Sequence, residues 1–145
     1  MEQRNDPFAF LGAEEKDLLA PYLTERILHA GEDLYVEGQE DDFMGFVLAG
    51  RLAVKKPTEF SGRQHMIALL DPGAVVGESG ILQWRRPHGT TVTAIEECRL
   101  ALLKRESFER LCQEHPDLAI SLLGYLLHIV GIRLQQTSHR LSLVV

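Results

Sequence analysis

The stretch Gly77 to Val92, GESGILQWRRPHGTTV, gathers the residues of this chain whose types and spacing bear most directly on binding chemistry. It opens on Gly77, Glu78, Ser79 and Gly80, carries Arg85, Arg86, Pro87 and His88 in its middle, and closes on Gly89, Thr90, Thr91 and Val92. Gly77 lets backbone approach a ligand, and a short turn begun at Glu78 offers unpaired N–H groups to an anion. The Glu78 carboxylate repels an anion but accepts hydrogen bonds from hydroxyl groups, each worth roughly 1.5–3 kcal/mol when the acceptor is charged. An acid in a first helical turn also serves stability alone, through the helix dipole. Thr90 adds a hydroxyl, and Gly89 can expose its N–H. Arg85 and Arg86 read either as partners of a negative group or as solvated loop charges, and Pro87 forces Arg86 toward extended backbone. Histidine has an unperturbed pKa of about 6.5, so His88 is mostly neutral at pH 7 unless a bound anion raises that value.

Two kinds of element must hold this stretch. From Thr24 to Leu103 the sequence consists of short apolar runs, RILHA, EDLYVEG, GFVLAGRLAVKK, RQHMIALL, TTVTAIEE and RLALLK. Gly31, Gly38, Gly50, Gly62, Gly73 and Gly77 punctuate them, which predicts a compact β-sandwich or roll rather than βαβ units. Gly50, between two apolar runs, reads as a hairpin turn. Before the strands, EEKDLLA predicts a short helix over 14–20 that sets Leu18 and Leu19 against a core and is ended by Pro21. After Lys104 the pattern becomes helical. RESFERLCQEH makes one helix with Phe108 and Leu111 on one face, and Pro116 opens a second that runs from Asp117 to about Leu141.

That second helix carries two apolar stripes. One is Leu118, Leu122, Tyr125, Ile129 and Ile132; the other is Leu123, Leu127, Val130, Leu134 and Leu141. A surface helix of a monomer needs only one. The alternating steps of four and three in the second stripe suit a helix-to-helix seam, so a homodimer through this helix is expected. Burial of both stripes within one chain is the alternative. Gly124 and Gly131 fall on the remaining face with His128 and Gln135.

In this context the quoted stretch resembles the phosphate-binding cassette of the cyclic nucleotide-binding domain family, of the type found in bacterial catabolite activators and in regulatory subunits of cyclic-AMP-dependent kinases. Gly77, Glu78, Ser79, Gly80 and Ile81 match the cassette's opening, Thr91-Val92 match its close, and the spacing from Glu78 to Val92 fits without a gap. The resemblance covers most of the chain. It implies a mainly β fold with flanking helices: a jelly-roll-like β-roll followed by a short helix and a long C-terminal helix. Its parts would be an N-terminal helical segment over about 1–23, a β-roll over 24–103 with the cassette at 76–92, and C-terminal helices over 104–145, together one domain.

The same resemblance implies the ligand and its contacts. Cyclic AMP or cyclic GMP would dock on Gly77, Glu78, Ser79, His88, Gly89 and Thr90, with Glu78 accepting from the ribose 2′-hydroxyl. His88 stands where the family has the arginine that clamps the phosphate. Arginine supplies a permanent charge and a two-pronged fork that histidine lacks, so Arg86, with Arg85, is the candidate substitute. Counted from His115-Pro116-Asp117, Arg133 falls near the base, where it either stacks on the ring or points outward. A small shift of register would bring Thr137 or Ser138 there instead.

Composition narrows the alternatives. The chain has 145 residues with a formal net charge of −6, which disfavours the phosphate attraction behind nucleic-acid binding, so no direct nucleic-acid partner is expected. No apolar run reads as long enough to span a bilayer, and MEQRNDPFAF lacks the start of a signal peptide, so a cytoplasmic location is expected without a membrane partner. Cys98 and Cys112 read as buried small hydrophobes in a reducing compartment. His29, His65, His88, His115, His128 and His139 form no H-x-H or H-x-x-x-H pair, and neither a nucleophile elbow nor a P-loop occurs. No enzyme, metal or cofactor is expected. The output of such a module would be dimer geometry, a partner protein or a larger chain. The competing reading is a degenerate domain that keeps the fold for dimerisation or protein contact and has lost the nucleotide.

Overall fold

The computed structural model describes residues 5–40, 42–58, 62–82 and 87–144. Helix α1 spans Ala13–Leu19 and runs into a 3-10 turn, Ala20–Tyr22. Eight strands follow: β1 Leu23–Leu28, β2 Asp33–Tyr35, β3 Phe43–Ala49, β4 Leu52–Pro57, β5 Gln64–Leu70, β6 Val75–Val76, β7 Thr91–Ala94 and β8 Cys98–Lys104. A second 3-10 turn, Glu78–Ile81, separates β6 from β7, and helices α2, Arg105–Glu114, and α3, Pro116–Val144, complete the order. The strands form two antiparallel four-stranded sheets, ordered β1-β8-β3-β6 and β2-β7-β4-β5. The β-roll with flanking helices that the sequence implied is the fold of this chain.

Strand periodicity explains how one sheet serves two cores. Side chains alternate faces along a strand. In β3, Met44 and Phe46 join the core beneath the helices while Val47 joins the core between the sheets. In β8, Ala101 and Leu103 go to the first core, and Cys98, Leu100 and Leu102 to the second. The pair Val75 and Val76 splits the same way. Burial on both faces makes these strands read as continuous apolar runs. Strand β5, at a sheet edge, is exposed along most of its length, including Met66, Ile67 and Leu69.

All six punctuating glycines hold positive φ. The reading of Gly50 as a hairpin turn is corrected, however, because β3 and β4 belong to different sheets. Strand β3 is already flanked by β8 and β6, and β4 by β7 and β5, so the Gly50 turn carries the chain from one sheet to the other. The need for glycine there is double. Its φ is +85°, and a Cβ would lie 2.3 Å from the Glu97 carbonyl oxygen and 2.8 Å from Cys98 Cα.

The helices differ from expectation in detail. Leu19 is buried but Leu18 is largely exposed, since α1 turns only one edge to the core. Phe108 and Leu111 of α2 are buried as the spacing required. On α3, Leu118 and Leu122 are buried and Tyr125 and Ile129 pack against the core, but Ile132 is exposed and Leu126, from neither stripe, is buried in its place. The second stripe is open: Leu127 is 74% and Leu134 66% exposed, with Leu123, Val130 and Leu141 also exposed. Both stripes are therefore not buried within one chain. The expectation about apolar runs is amended too, because α3 is long enough to cross a membrane and its most apolar window reaches a mean hydropathy of 1.6. The burial of Leu118, Leu122 and Leu126 makes its first half a core helix of this fold.

Candidate functional site

Local backbone geometry builds the site. Gly77 adopts left-handed φ 67° and ψ 33°, a conformation open to glycine at little cost, and so turns the chain from β6 into the 3-10 turn. The turn is closed by the Gly80 N–H to the Gly77 carbonyl, 2.9 Å, and by the Leu82 N–H to the Ser79 carbonyl, 3.1 Å. Gly80 and Ile81 are buried beneath it, which leaves Glu78 half-buried and Ser79 exposed. Its far end is tied to α2 through Arg105, whose Nε donates to the Leu82 carbonyl at 2.8 Å and whose N–H donates to the Asp42 carbonyl at 2.8 Å.

A cavity of about 570 Å³ opens over this turn. Gly77, Glu78, Ser79, His88, Gly89, Thr90 and Arg133 all line it, so seven of the eight residues singled out in the sequence meet at one place. Arg86, and Arg85 with it, lies outside the described residues. Thr137 and Ser138 do not line the cavity, and the Thr137 hydroxyl donates to its own helix at the Arg133 carbonyl, 3.0 Å. The opposite wall is apolar, made by Val54, Ala68 and Leu70 of β4 and β5.

Arg133 does not point outward. Its Nη1 donates to Glu78 Oε1 at 3.0 Å and its Nη2 to the Val75 carbonyl at 2.7 Å. The long helix is thus bonded to the turn that carries the candidate hydroxyl acceptor.

His88 differs from a phosphate-clamping cation in environment as well as type. It is 8% exposed, and its ring lies flat on that of Tyr35, centroids 3.4 Å apart and planes 8° from parallel. Its backbone is fixed on both sides: the His88 N–H donates to the Gln39 carbonyl at 2.9 Å, and its carbonyl accepts from the Gly38 N–H at 2.8 Å. Burial pushes the imidazole pKa below its ordinary value, against a smaller opposing pull from the Asp42 carboxylate. The side chain is a buried, stacked ring whose charged form burial disfavours. Beside it Gly89 is exposed, with open space where a Cβ would sit, and the strand that follows is anchored by the Thr91 hydroxyl, which accepts from the Glu37 N–H at 3.0 Å and from Gln64 Nε2 at 3.2 Å.

Tyr35 and Arg105 were not singled out in the sequence. Tyr35 read as one apolar position in a β-run, and nothing local marks it as the platform for a residue more than fifty positions away. Arg105 opens a helix like any other cation, and its inward turn depends on Leu82 arriving from a separate element.

A second groove of about 410 Å³ adjoins the first across Glu78 and Ser79. Ile81, Leu82, Leu123, Leu126, Leu127 and Val130 make it almost wholly apolar.

Comparison with known proteins agrees with this arrangement. The model of the cyclic nucleotide-binding domain family matches residues 25–115, and the chain belongs to that family. It is 28% identical over 119 residues to the cyclic AMP receptor protein of Thermus thermophilus, covering 82% of this chain and 54% of that protein. It is 32% identical over 101 residues to the cAMP-dependent protein kinase regulatory subunit of Yarrowia lipolytica, covering 70% of this chain and 26% of that one. The chain therefore spans about half of the first relative and about a quarter of the second. Among solved structures, a cyclic nucleotide-binding domain from Methylobacillus flagellatus superposes with a TM-score of 0.83 at 25% identity, covering 90% of this chain and 72% of that one.

Proposed function

We propose that this chain is a regulatory module, not an enzyme, that takes a ribose-bearing ligand, cyclic AMP or cyclic GMP on the family's pattern, in the cavity over Gly77 to Ser79 and His88 to Thr90. The observation that carries the reading is the contact of Arg133 with Glu78 and the Val75 carbonyl. A ligand hydroxyl that engages Glu78 competes with or reorganises the Arg133 tie between the outer part of α3 and the cassette. Occupancy is thereby passed to the helix. The exposed stripe of Leu123, Leu127, Val130, Leu134 and Leu141 supports a homodimer through α3, with a protein partner as the other receiver of the signal. The acidic net charge argues against direct nucleic-acid contact, and a cytoplasmic setting without a membrane partner fits a receptor of this kind. Calorimetric titration of cyclic AMP and cyclic GMP, paired with amide exchange over 134–144, tests this reading. Saturable binding that changes exchange in the helix supports it, and binding that leaves the helix untouched removes the signalling part.

A second reading has its own support. His88, buried and stacked on Tyr35 with its pKa lowered by burial, fits a domain that keeps the fold for dimerisation or protein contact and no longer holds nucleotide. A folded chain that gives no heat with any ribose-bearing ligand would establish that reading over the first.

A further inference from the structure

Among the described residues the two sheets end in four edge strands, and three of them are guarded. Strand β1 carries Glu25 and Arg26, β2 has three residues and β6 has two. Charge and shortness are usual protections of an edge against pairing with another chain. Strand β5 has neither. Its seven residues, Gln64–Leu70, include no Asp, Glu, Lys, Arg or Pro, and among the described residues it pairs with β4 alone. The register shifts at Ile67, which has no partner on β4, and this bulge leaves a three-residue run in register on either side. Met66, Ile67 and Leu69 are all exposed along the edge.

Charge narrows what suits this edge. Residues 52–70, which span β4 and β5, hold Lys55, Lys56 and Arg63 against one acid, Glu59, a surplus of +2 in a chain whose net charge is −6. Lys55 and Lys56 are the β4 partners of Met66 and His65, so these cations gather toward the Gln64 end of the edge. An added strand would run about 10 Å from β4, about one Debye length at 0.1 M salt. Ile67 and Leu69 lie toward the other end, where Arg51 and Asp71 already pair at 2.8 Å. A second copy added about a twofold axis would set the basic end against that balanced end and leave the surplus unanswered. Carboxylates answer it. We infer that the open edge of β5 takes, by strand addition, an extended segment of a partner protein in which apolar residues are followed by acidic ones. The inference stands whether or not the cavity holds a ligand.

Fluorescence anisotropy of the full chain with a labelled, capped peptide, five residues of alternating threonine and valine followed by three glutamates, decides it. The peptide should bind saturably below about 1 mM, and the amide resonances it shifts should be those of 64–70. Lysines in place of the glutamates, or prolines in place of the valines, should each weaken binding at least about tenfold. Lys55→Gln with Lys56→Gln should cost the acidic peptide about fivefold. The three wild-type titrations decide alone if that variant does not fold. Equal affinity for the acidic and the lysine peptides, shifts confined to other strands, or no binding below about 1 mM overturns the inference. So does a parent whose dimer in sedimentation is lost in Leu69→Glu, because the edge then belongs to a second copy.

Discussion

Replacing Arg133 by methionine keeps most of the alkyl stem while deleting the guanidinium, so the loss can be built from its bonds to Glu78 and to the Val75 carbonyl. The ion pair with Glu78 is half-exposed, 39% on the arginine side and 26% on the glutamate side, and pairs of that exposure are worth about 0.5 kcal/mol. The bond to the Val75 carbonyl is charge-assisted and ends on a strand buried in both cores, which places it near about 1.5 kcal/mol. Arg133→Met should therefore cost about 2 kcal/mol in urea denaturation with an unchanged m-value. Glu78→Gln should cost about 0.5 kcal/mol, and the double variant should fall short of additivity by a similar amount. That coupling should fade in about 1 M salt, where the Debye length is about 3 Å. Amide exchange adds a local readout: residues 134–144 are exposed where described, so exchange there should quicken in Arg133→Met and barely move in Glu78→Gln. An Arg133→Met variant within about 0.3 kcal/mol of the parent would refute the anchoring of α3 on the cassette.

Other expectations follow from single sites. Gly50→Ala should cost at least about 3 kcal/mol or prevent folding, because strain at φ +85° adds to a clash with the Glu97 carbonyl, whereas Gly31→Ala meets open space and should cost only about 1 kcal/mol; comparable losses would disprove the crowding at Gly50. The lowered pKa of His88 means that the unfolded chain takes up its proton first, so its share of stability is present above about pH 6.5 and is lost as pH falls through the lowered native value. Denaturation from about pH 7.5 to 5 should show this slope reduced in His88→Gln, and an equal slope would place the titration elsewhere. A bound phosphodiester reverses the sense for binding: it favours the imidazolium, so cyclic nucleotide affinity should rise on acidification, and His88→Arg should tighten it at about pH 8. A flat profile with an unaffected variant would remove His88 from the phosphate end. Leu127→Glu with Leu134→Glu should abolish self-association in sedimentation without lowering monomer stability, since both side chains are exposed; a parent that is monomeric at high micromolar concentration would count against the seam.

The fold was legible where local chemistry decides it. A glycine that must hold positive φ announces a turn, and all six such glycines were visible in the sequence. What a turn joins is not local. Gly50 looks the same between paired strands as between sheets, and only the pairing of β3 with β8 and β6 and of β4 with β7 and β5 distinguishes the cases. Strand β6, two residues long, was missed for a related reason, since Val75 and Val76 serve different cores and show no alternation of polar and apolar character. Seven site residues could be named because the cassette is contiguous and Arg133 could be counted from Pro116. The condition of His88 was hidden. Its pKa is lowered by burial, against a smaller opposing pull from Asp42, in surroundings that form only in the folded chain.

On the proposed reading, the turn at Glu78 and the loop at His88 would do different work on a bound ligand. The helix is bonded to Glu78 and to the Val75 carbonyl, on the side of the cavity proposed to take the sugar. A ligand can shift an equilibrium only by its difference in affinity for the two states. The group best placed to generate that difference is therefore the one that meets Glu78, where a hydroxyl and the Arg133 guanidinium address the same carboxylate. On the proposed reading, Glu78→Gln should therefore sever the route from ligand to helix even where some binding survives.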